Sequence, residues 1–139
     1  MVPCEIFIAH IFKDVLSSQT PLFINTMKRN HMDYFMICHA LASRSQHSRF
    51  HHGSIAVYRR GTIVGRGSNR KNIHAEVSAI TNIPNYQRYE KLVVYVCRVN
   101  SKGGFMNSRP CCHCMEFMRE NGVSRVYFSD TVGFSKLIL

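Results

Sequence analysis

Leu92-Val93-Val94-Tyr95-Val96 is a nearly continuous apolar run, and its reading decides the architecture of this chain. A strand with one wet face alternates apolar and polar residues, whereas a run without alternation is buried on both faces and needs helices on either side of its sheet. The strand predicted over Lys91 to Val99 therefore belongs inside a layered α/β domain. Upstream, Met32, Phe35, Met36, His39, Ala40 and Leu41 recur at helical spacing, which predicts an amphipathic helix from His31 to about Ser45. Two short β-branched runs, Ser54 to Tyr58 and Thr62 to Arg66, flank Arg59-Arg60-Gly61 and read as a hairpin. His74 to about Asn82 is helical by its small and apolar pattern and stops before Pro84. Further on, Cys111 to Glu120 is a helix with Pro110 at its start and Asn121-Gly122 as its stop. Arg125 to Ser129 is a strand, and a last apolar stretch runs from Phe134 to Leu139. The link from Asp130 to Gly133 is too short for a parallel crossover, which needs about a dozen residues, so the last two strands form an antiparallel hairpin. The order predicts a mixed sheet of about five strands with helices packed on its faces.

With 139 residues, 45% of them hydrophobic, the chain fits one domain that builds a core without disulfide staples. No apolar run approaches the roughly 18 residues of a membrane span, and Met1 to Leu16 is interrupted by Glu5, His10, Lys13 and Asp14. A soluble protein with no membrane partner is expected. Residues 1–30 lack a clear signature beyond a short helix over Glu5 to Ser18 and are read as an N-terminal extension to a domain over 31–139. Six cysteines without a secretory signal favour reduced thiols in a cytoplasm-like compartment. Among them Cys4, Cys38 and Cys97 are expected to be buried small hydrophobes.

The net charge of +10, from 18 Lys and Arg against 8 Asp and Glu, suggests an anionic partner. Its densest local cluster is Arg59, Arg60, Arg66, Arg70 and Lys71. That cluster either draws phosphate to a pocket mouth or is a solvated hairpin turn and loop; no interleaved aromatics accompany it to stack exposed bases.

The chemistry lies in His74-Ala75-Glu76 and Pro110-Cys111-Cys112-His113-Cys114. A Cys-x-x-Cys pair alone could be a structural zinc knuckle or a redox dithiol; the upstream His-x-Glu narrows the choice. His74 and the two cysteines fall at the first turns of two helices whose N-termini point at one spot, where unpaired N–H groups and the helix dipoles favour thiolates. Cys111 and Cys114 share a helix face and can reach one tetrahedral ion. Three protein ligands leave a fourth position for water, which is the pattern of a catalytic zinc. Glu76, beside that water, can take its proton and pass it on; alone, it would be read as a first-turn carboxylate complementing the dipole. Cys112 and His113 could make a closed four-ligand site, but helix geometry turns them about 100° and 200° from Cys111. The pair His51-His52 is read as a loop feature near the pocket mouth.

These residues resemble the cytidine deaminase superfamily of zinc-dependent nucleoside, nucleotide and nucleic-acid deaminases. Phe50-His51-His52-Gly53-Ser54-Ile55-Ala56-Val57 is similar to the family's first strand, and Gly65-Arg66-Gly67-Ser68-Asn69 to its substrate-binding segment. The similarity runs from about Asp33 to the C-terminus. It implies the three-layer cytidine-deaminase-like fold, one zinc ion on His74, Cys111 and Cys114, and Glu76 as proton shuttle. It further implies that Asn69 hydrogen-bonds the sugar or base and that the Ala75 N–H holds the pyrimidine 2-carbonyl. Phe50 would line the base pocket and the Arg109 carbonyl would lie near the departing ammonia. Read from the residues alone, Asn69 could be a turn residue and Phe50 a core residue.

In the family, branches acting on free nucleosides often join the last two strands by a hairpin, while tRNA adenosine deaminases and nucleic-acid editors insert a helix. The short Asp130 to Gly133 link thus favours a cytosine-type base in a free nucleoside or nucleotide. The charge favours the alternative, cytosine or adenine in single-stranded DNA or RNA. A third reading is a non-catalytic zinc module. The stretch Arg98 to Arg109 is longer than a strand-to-helix link requires and is read as a substrate lid or oligomer contact. Small family members often complete their pockets from a neighbouring subunit, so a homo-dimer or homo-tetramer is expected.

Overall fold

The computed structural model describes residues 6–7, 29–84 and 89–139. Its strands are β1 (Ile6–Phe7), β2 (His51–Tyr58), β3 (Thr62–Ser68), β4 (Leu92–Val99), β5 (Phe105–Met106), β6 (Val123–Ser129) and β7 (Phe134–Ile138). Its helices are α1 (His31–Ser43), α2 (Ala75–Thr81) and α3 (Cys112–Glu120), and a 3-10 turn, Arg59–Gly61, joins β2 to β3. The sheet runs β1-β7-β6-β4-β2-β3, with β5 paired to the end of β4. Among the described residues only β4 and β6 pair in parallel, and the crossover between them contains α3. The other pairings are antiparallel.

The five long strands are those expected from the sequence, and β6 and β7 form the expected hairpin, closed by the Asp130 N–H donating to the Gly133 carbonyl at 2.7 Å. Two short additions escaped prediction. Ile6 and Phe7 pair with Leu137 and Lys136, a strand where a helix over Glu5 to Ser18 was expected; the remainder of that stretch, with Cys4, lies outside the described residues. Arg98 to Arg109 is a hairpin, β5 folding back on β4. Its turn is built by Asn100, whose side-chain oxygen accepts from the Lys102 and Gly104 N–H groups while Gly103 takes a φ of +81°.

Central strand β4 explains its own sequence. Val94 and Val96 face a core formed with α2 and α3 through Ile80, Met115 and Met118. Tyr95, Cys97 and Val99 face the opposite core under α1, with Phe35, Cys38 and Ile55. Both faces are covered from Val94 to Val96, while Val93 is half-buried at the edge of a cleft. Cys38 and Cys97 are buried and free, as expected. Phe35 stacks on Phe134 at 4.1 Å and meets the Tyr95 ring edge-on at 5.3 Å. Its burial contributes about 1.5–3 kcal/mol.

Helix α1 starts with a capping box, Asn30 accepting from the Asp33 N–H at 2.9 Å and Asp33 from the Asn30 N–H at 2.9 Å. The inward face, however, is Tyr34, Phe35, Cys38 and Ala42, while Met36 is half exposed. Gly53 of β2 selects that face: a Cβ there would stand 2.1 Å from the Cys38 carbonyl oxygen, so the helix backbone lies directly on the strand. Apolar periodicity cannot register this, because small Cys38 and Ala42 weigh less than Met36 and Leu41. Among the described residues no helix is long and apolar enough to cross a membrane.

Candidate active site

Two helix starts meet at one end of the sheet. His74 is the N-cap of α2 and Cys111 the N-cap of α3, each with extended backbone, so both residues precede the first turn in which the sequence places them. Cys114 sits at the third helical position, its N–H donating to the Cys111 sulfur at 3.4 Å. His74 Nδ1 stands 3.1 Å from Cys114 Sγ and 3.8 Å from Cys111 Sγ. Among the described His, Cys, Asp and Glu residues these three form the group able to hold a metal ion, their ligand atoms all within 4.8 Å of one another. Ligands sharing a tetrahedral zinc stand about 3.6 Å apart, and a nitrogen with two sulfurs is a zinc donor set. The residues therefore fit the ion. Cys112 and His113 are exposed and lie outside the group.

Alternating glycines of β3 hold α2 in place. A Cβ on Gly65 would stand 2.1 Å from the Ala79 carbonyl oxygen, and one on Gly67 2.5 Å from the Ala79 nitrogen. No side chain fits between strand and helix there, so the distance from the sheet to His74 and Glu76 is set by backbone contact.

Glu76, in the first turn of α2, is 4% exposed. Burial pushes its carboxyl up from the ordinary range, opposed by its backbone hydrogen bond, the His74 charge and a hydrogen bond with Cys114. Burial, then the Glu76 charge and Cys111, push the Cys114 thiol up as well. Burial thus opposes the thiolate expected at Cys114, and a bound divalent cation would take the proton's place.

A cavity of about 260 Å³ opens over these groups. All four softer candidates, Phe50, Asn69, Ala75 and Arg109, line it together with Glu76. Asn69 is more than a turn residue. Its side-chain oxygen accepts from the His52 N–H at 2.8 Å and the Ser45 hydroxyl, and its side-chain nitrogen donates to the Phe50 carbonyl at 2.6 Å. Phe50 is not core, being 43% exposed, with the Arg98 guanidinium 4.6 Å above its ring.

Three lining residues were missed or misplaced by sequence reasoning. His51 and His52 open β2 rather than preceding it, and His52 forms part of the cavity wall. Burial, and then Arg98, His74, His47 and His51, lower its pKa to about 4, so the ring is neutral at pH 7. His47 lines the mouth, its Nδ1 accepting from the Arg49 and Phe50 N–H groups. Ser108, also in the lining, is buried, its hydroxyl bonding the Val96 carbonyl at 3.0 Å and the Ser129 hydroxyl at 2.9 Å, which ties β4 to β6 just before the Cys111 turn. A polar residue two places before Pro110 was the available signal. The basic cluster does not stay together: Arg70 and Lys71 line this cavity, whereas Arg59 and Arg60 lie in a different cleft.

Residues 28–130 match the family described as the cytidine and deoxycytidylate deaminase zinc-binding region. The chain belongs to that family. It is a zinc-dependent hydrolytic deaminase. Solved structures share its fold. The cytidine deaminase of Burkholderia pseudomallei aligns with a TM-score of 0.65 at 16% identity, over 79% of this chain and 93% of that one. The cytidine deaminase of Mycobacterium leprae gives 0.57 at 22%, over 78% and 93%. The dCMP deaminase of cyanophage S-TIM5 gives 0.56 at 18%, over 78% and 84%. No curated protein sequence matches this deaminase.

Proposed function

We propose that the deaminase hydrolyses the exocyclic amine of a cytosine-type base in a free nucleoside or nucleotide, with residues 31–139 as the catalytic domain. The observation that carries this reading is the cavity: about 260 Å³, with Glu76 and two of the three ligand residues, His74 and Cys111, in its lining. It lies just below the roughly 300–1,000 Å³ of pockets for drug-sized ligands, a size suited to one base and its sugar. The antiparallel β6–β7 hairpin, found in free-nucleoside branches of the family, supports the same reading.

His74, Cys111 and Cys114 would hold zinc, which when bound supplies the Lewis acidity that activates water at neutral pH. Glu76 accepts the proton released by water and delivers protons to the ring nitrogen and to the leaving amine, so that water and cytosine become uracil and ammonia. Burial raises its carboxyl pKa, which makes it a better proton acceptor than an exposed carboxylate. Asn69, fixed by Phe50, His52 and Ser45, presents its remaining N–H to the sugar or base, and the Ala75 N–H holds the 2-carbonyl. Phe50 flanks the ring, and the Arg109 carbonyl accepts from departing ammonia.

A second reading, deamination within single-stranded DNA or RNA, draws on the +10 charge and on Arg70, Lys71 and Arg109 at the cavity. Ammonia release from cytidine, deoxycytidine, their monophosphates, adenosine and cytosine- or adenine-containing oligonucleotides separates the two. Turnover of free cytosine compounds is expected; turnover of oligonucleotides alone would overturn the proposal. Sedimentation is expected to give a dimer or tetramer.

A further inference from the structure

At the far end of the same strands lies a second cleft, of about 480 Å³, that shares no lining residue with the first. Five cations line it, Arg29, Arg59, Arg60, Lys91 and Arg125, brought together from four separate stretches of chain. Among the described residues no carboxylate lines it. Asp33, whose charge reaches Tyr34, is turned to the Asn30 N–H in the cap of α1.

Beside the cations the cleft is lined by tyrosine rings. Tyr34, Tyr95 and Tyr127 stack in sequence with centroids 4.8 and 5.0 Å apart, and the Tyr34 hydroxyl donates to the Gly61 carbonyl at 2.9 Å. These three rings are buried and turn edges rather than open faces to the cleft, while half-buried Tyr58 lies against Tyr89 at 4.4 Å and beneath Arg59. His31 bonds the Tyr95 hydroxyl through Nδ1 at 2.6 Å, and its pKa is lowered by burial and then by Arg125 and Lys136, as expected in a positive field.

Backbone strain marks the same place. Among the described residues two non-glycine residues have positive φ, Arg60 at 62° and Lys91 at 58°, and both carry a cation into this cleft. An L-residue in that conformation costs on the order of 1–2 kcal/mol, and neither side chain offsets the cost by core packing, since both are exposed. Arg59 is steadied over the Tyr58 ring at 5.5 Å.

We propose that this cleft binds a compact, multiply charged phosphate group, such as the di- or triphosphate end of a small molecule, at a site separate from the deaminase centre. Four guanidinium groups and an ammonium lining one concave cleft match phosphate oxygens in charge and in hydrogen-bonding geometry. Concavity and the burial of the central tyrosine rings favour a small phosphate chain over an extended strand.

The test titrates the full-length zinc-loaded protein with inorganic tripolyphosphate by calorimetry at fixed ionic strength, zinc content being measured before and after so that metal removal is not read as binding. Arg60→Gly with Lys91→Gly removes two cations while keeping a residue at ease in left-handed backbone, and circular dichroism checks the fold. Affinity should fall at least about ten-fold in this double variant. Arg70→Ala with Lys71→Ala, at the catalytic cavity, should leave it within about two-fold. Unchanged affinity in the glycine variant, an equal loss in the Arg70 and Lys71 variant, or binding of single-stranded oligonucleotide without binding of tripolyphosphate would each overturn the proposal.

Discussion

The two ends of the central strands solve opposite problems. At the catalytic end the chain brings helix starts and a buried carboxylate to one point, and glycines 65 and 67 let backbone press on backbone to hold it. At the other end five cations gather around a tyrosine stack, and two of them sit in strained backbone conformations. The first end is held by packing and the second tolerates strain for the sake of charge. Substitutions at the first should therefore disturb fold and chemistry together, while those at the second should disturb charge alone.

The largest break in that comparison comes from Cys114→Ala. Zinc content and deamination should fall to background. With zinc at a thousandfold excess over its Kd, thermal or urea unfolding should show a loss of about 4 kcal/mol of linked stability. Tripolyphosphate affinity should be unmoved, since Cys114 lies at the opposite end of the sheet.

Next in size, Gly65→Ala sets a methyl 2.1 Å from the Ala79 carbonyl oxygen. The helix must shift, at a cost of about 1–3 kcal/mol, and kcat should drop with it because His74 and Glu76 ride on that helix. Its counterpart, Arg60→Gly, should leave stability unchanged or raise it by about 1 kcal/mol, because strain is relieved and little packing is lost. If both cost the same, the contrast between a packed end and a strained end fails.

A smaller loss, about 1–2 kcal/mol, is expected for Asn69→Ala, which leaves the His52 N–H and Phe50 carbonyl without their side-chain partner. The variant should also raise KM. Asn69→Asp keeps the acceptor for His52 and should recover part of the stability but not KM.

Silent at pH 7 and visible only on acidification is the effect of His52. Its pKa is near 4 in the fold against 6.5 for the free side chain, so between those values the unfolded chain binds more protons and stability rises with pH. This contribution is lost as pH falls from 6.5 to 4. Comparing wild type with His52→Leu by urea unfolding across that window should give a difference that grows with pH and is flat above 6.5.

The contrast also explains what was legible in the sequence. The catalytic end is written in short segments, 74–76 and 110–114, whose spacing survives translation into helix starts, so the ligand group and Glu76 could be read directly, while the lining position of Asn69 came only through the resemblance to the family. Strands β2, β3, β4, β6 and β7 followed from their apolar runs. The inward face of α1 could not, because the close approach at Gly53 rather than side-chain size selects Cys38 and Ala42. The cationic cleft could not either, since residues 29, 59–60, 91 and 125 meet only through the sheet. Adjacency in sequence joined Arg59 and Arg60 to Arg70 and Lys71, but strand β3, running the length of the sheet between them, carries the pairs to opposite ends. The Arg98 to Arg109 hairpin was hidden because Asn100 and two glycines signal only a turn, and the strand that follows it is two residues long.

The central claim is that Glu76 moves the protons of deamination at this site. The direct measurement is ammonia release from cytidine and deoxycytidine monophosphate by wild type and Glu76→Gln, with zinc content determined for both. The account predicts equal zinc and a fall in kcat of about 10²–10⁴ for the variant, the usual contribution of a positioned general acid–base group. Equal zinc with an unchanged kcat would contradict it.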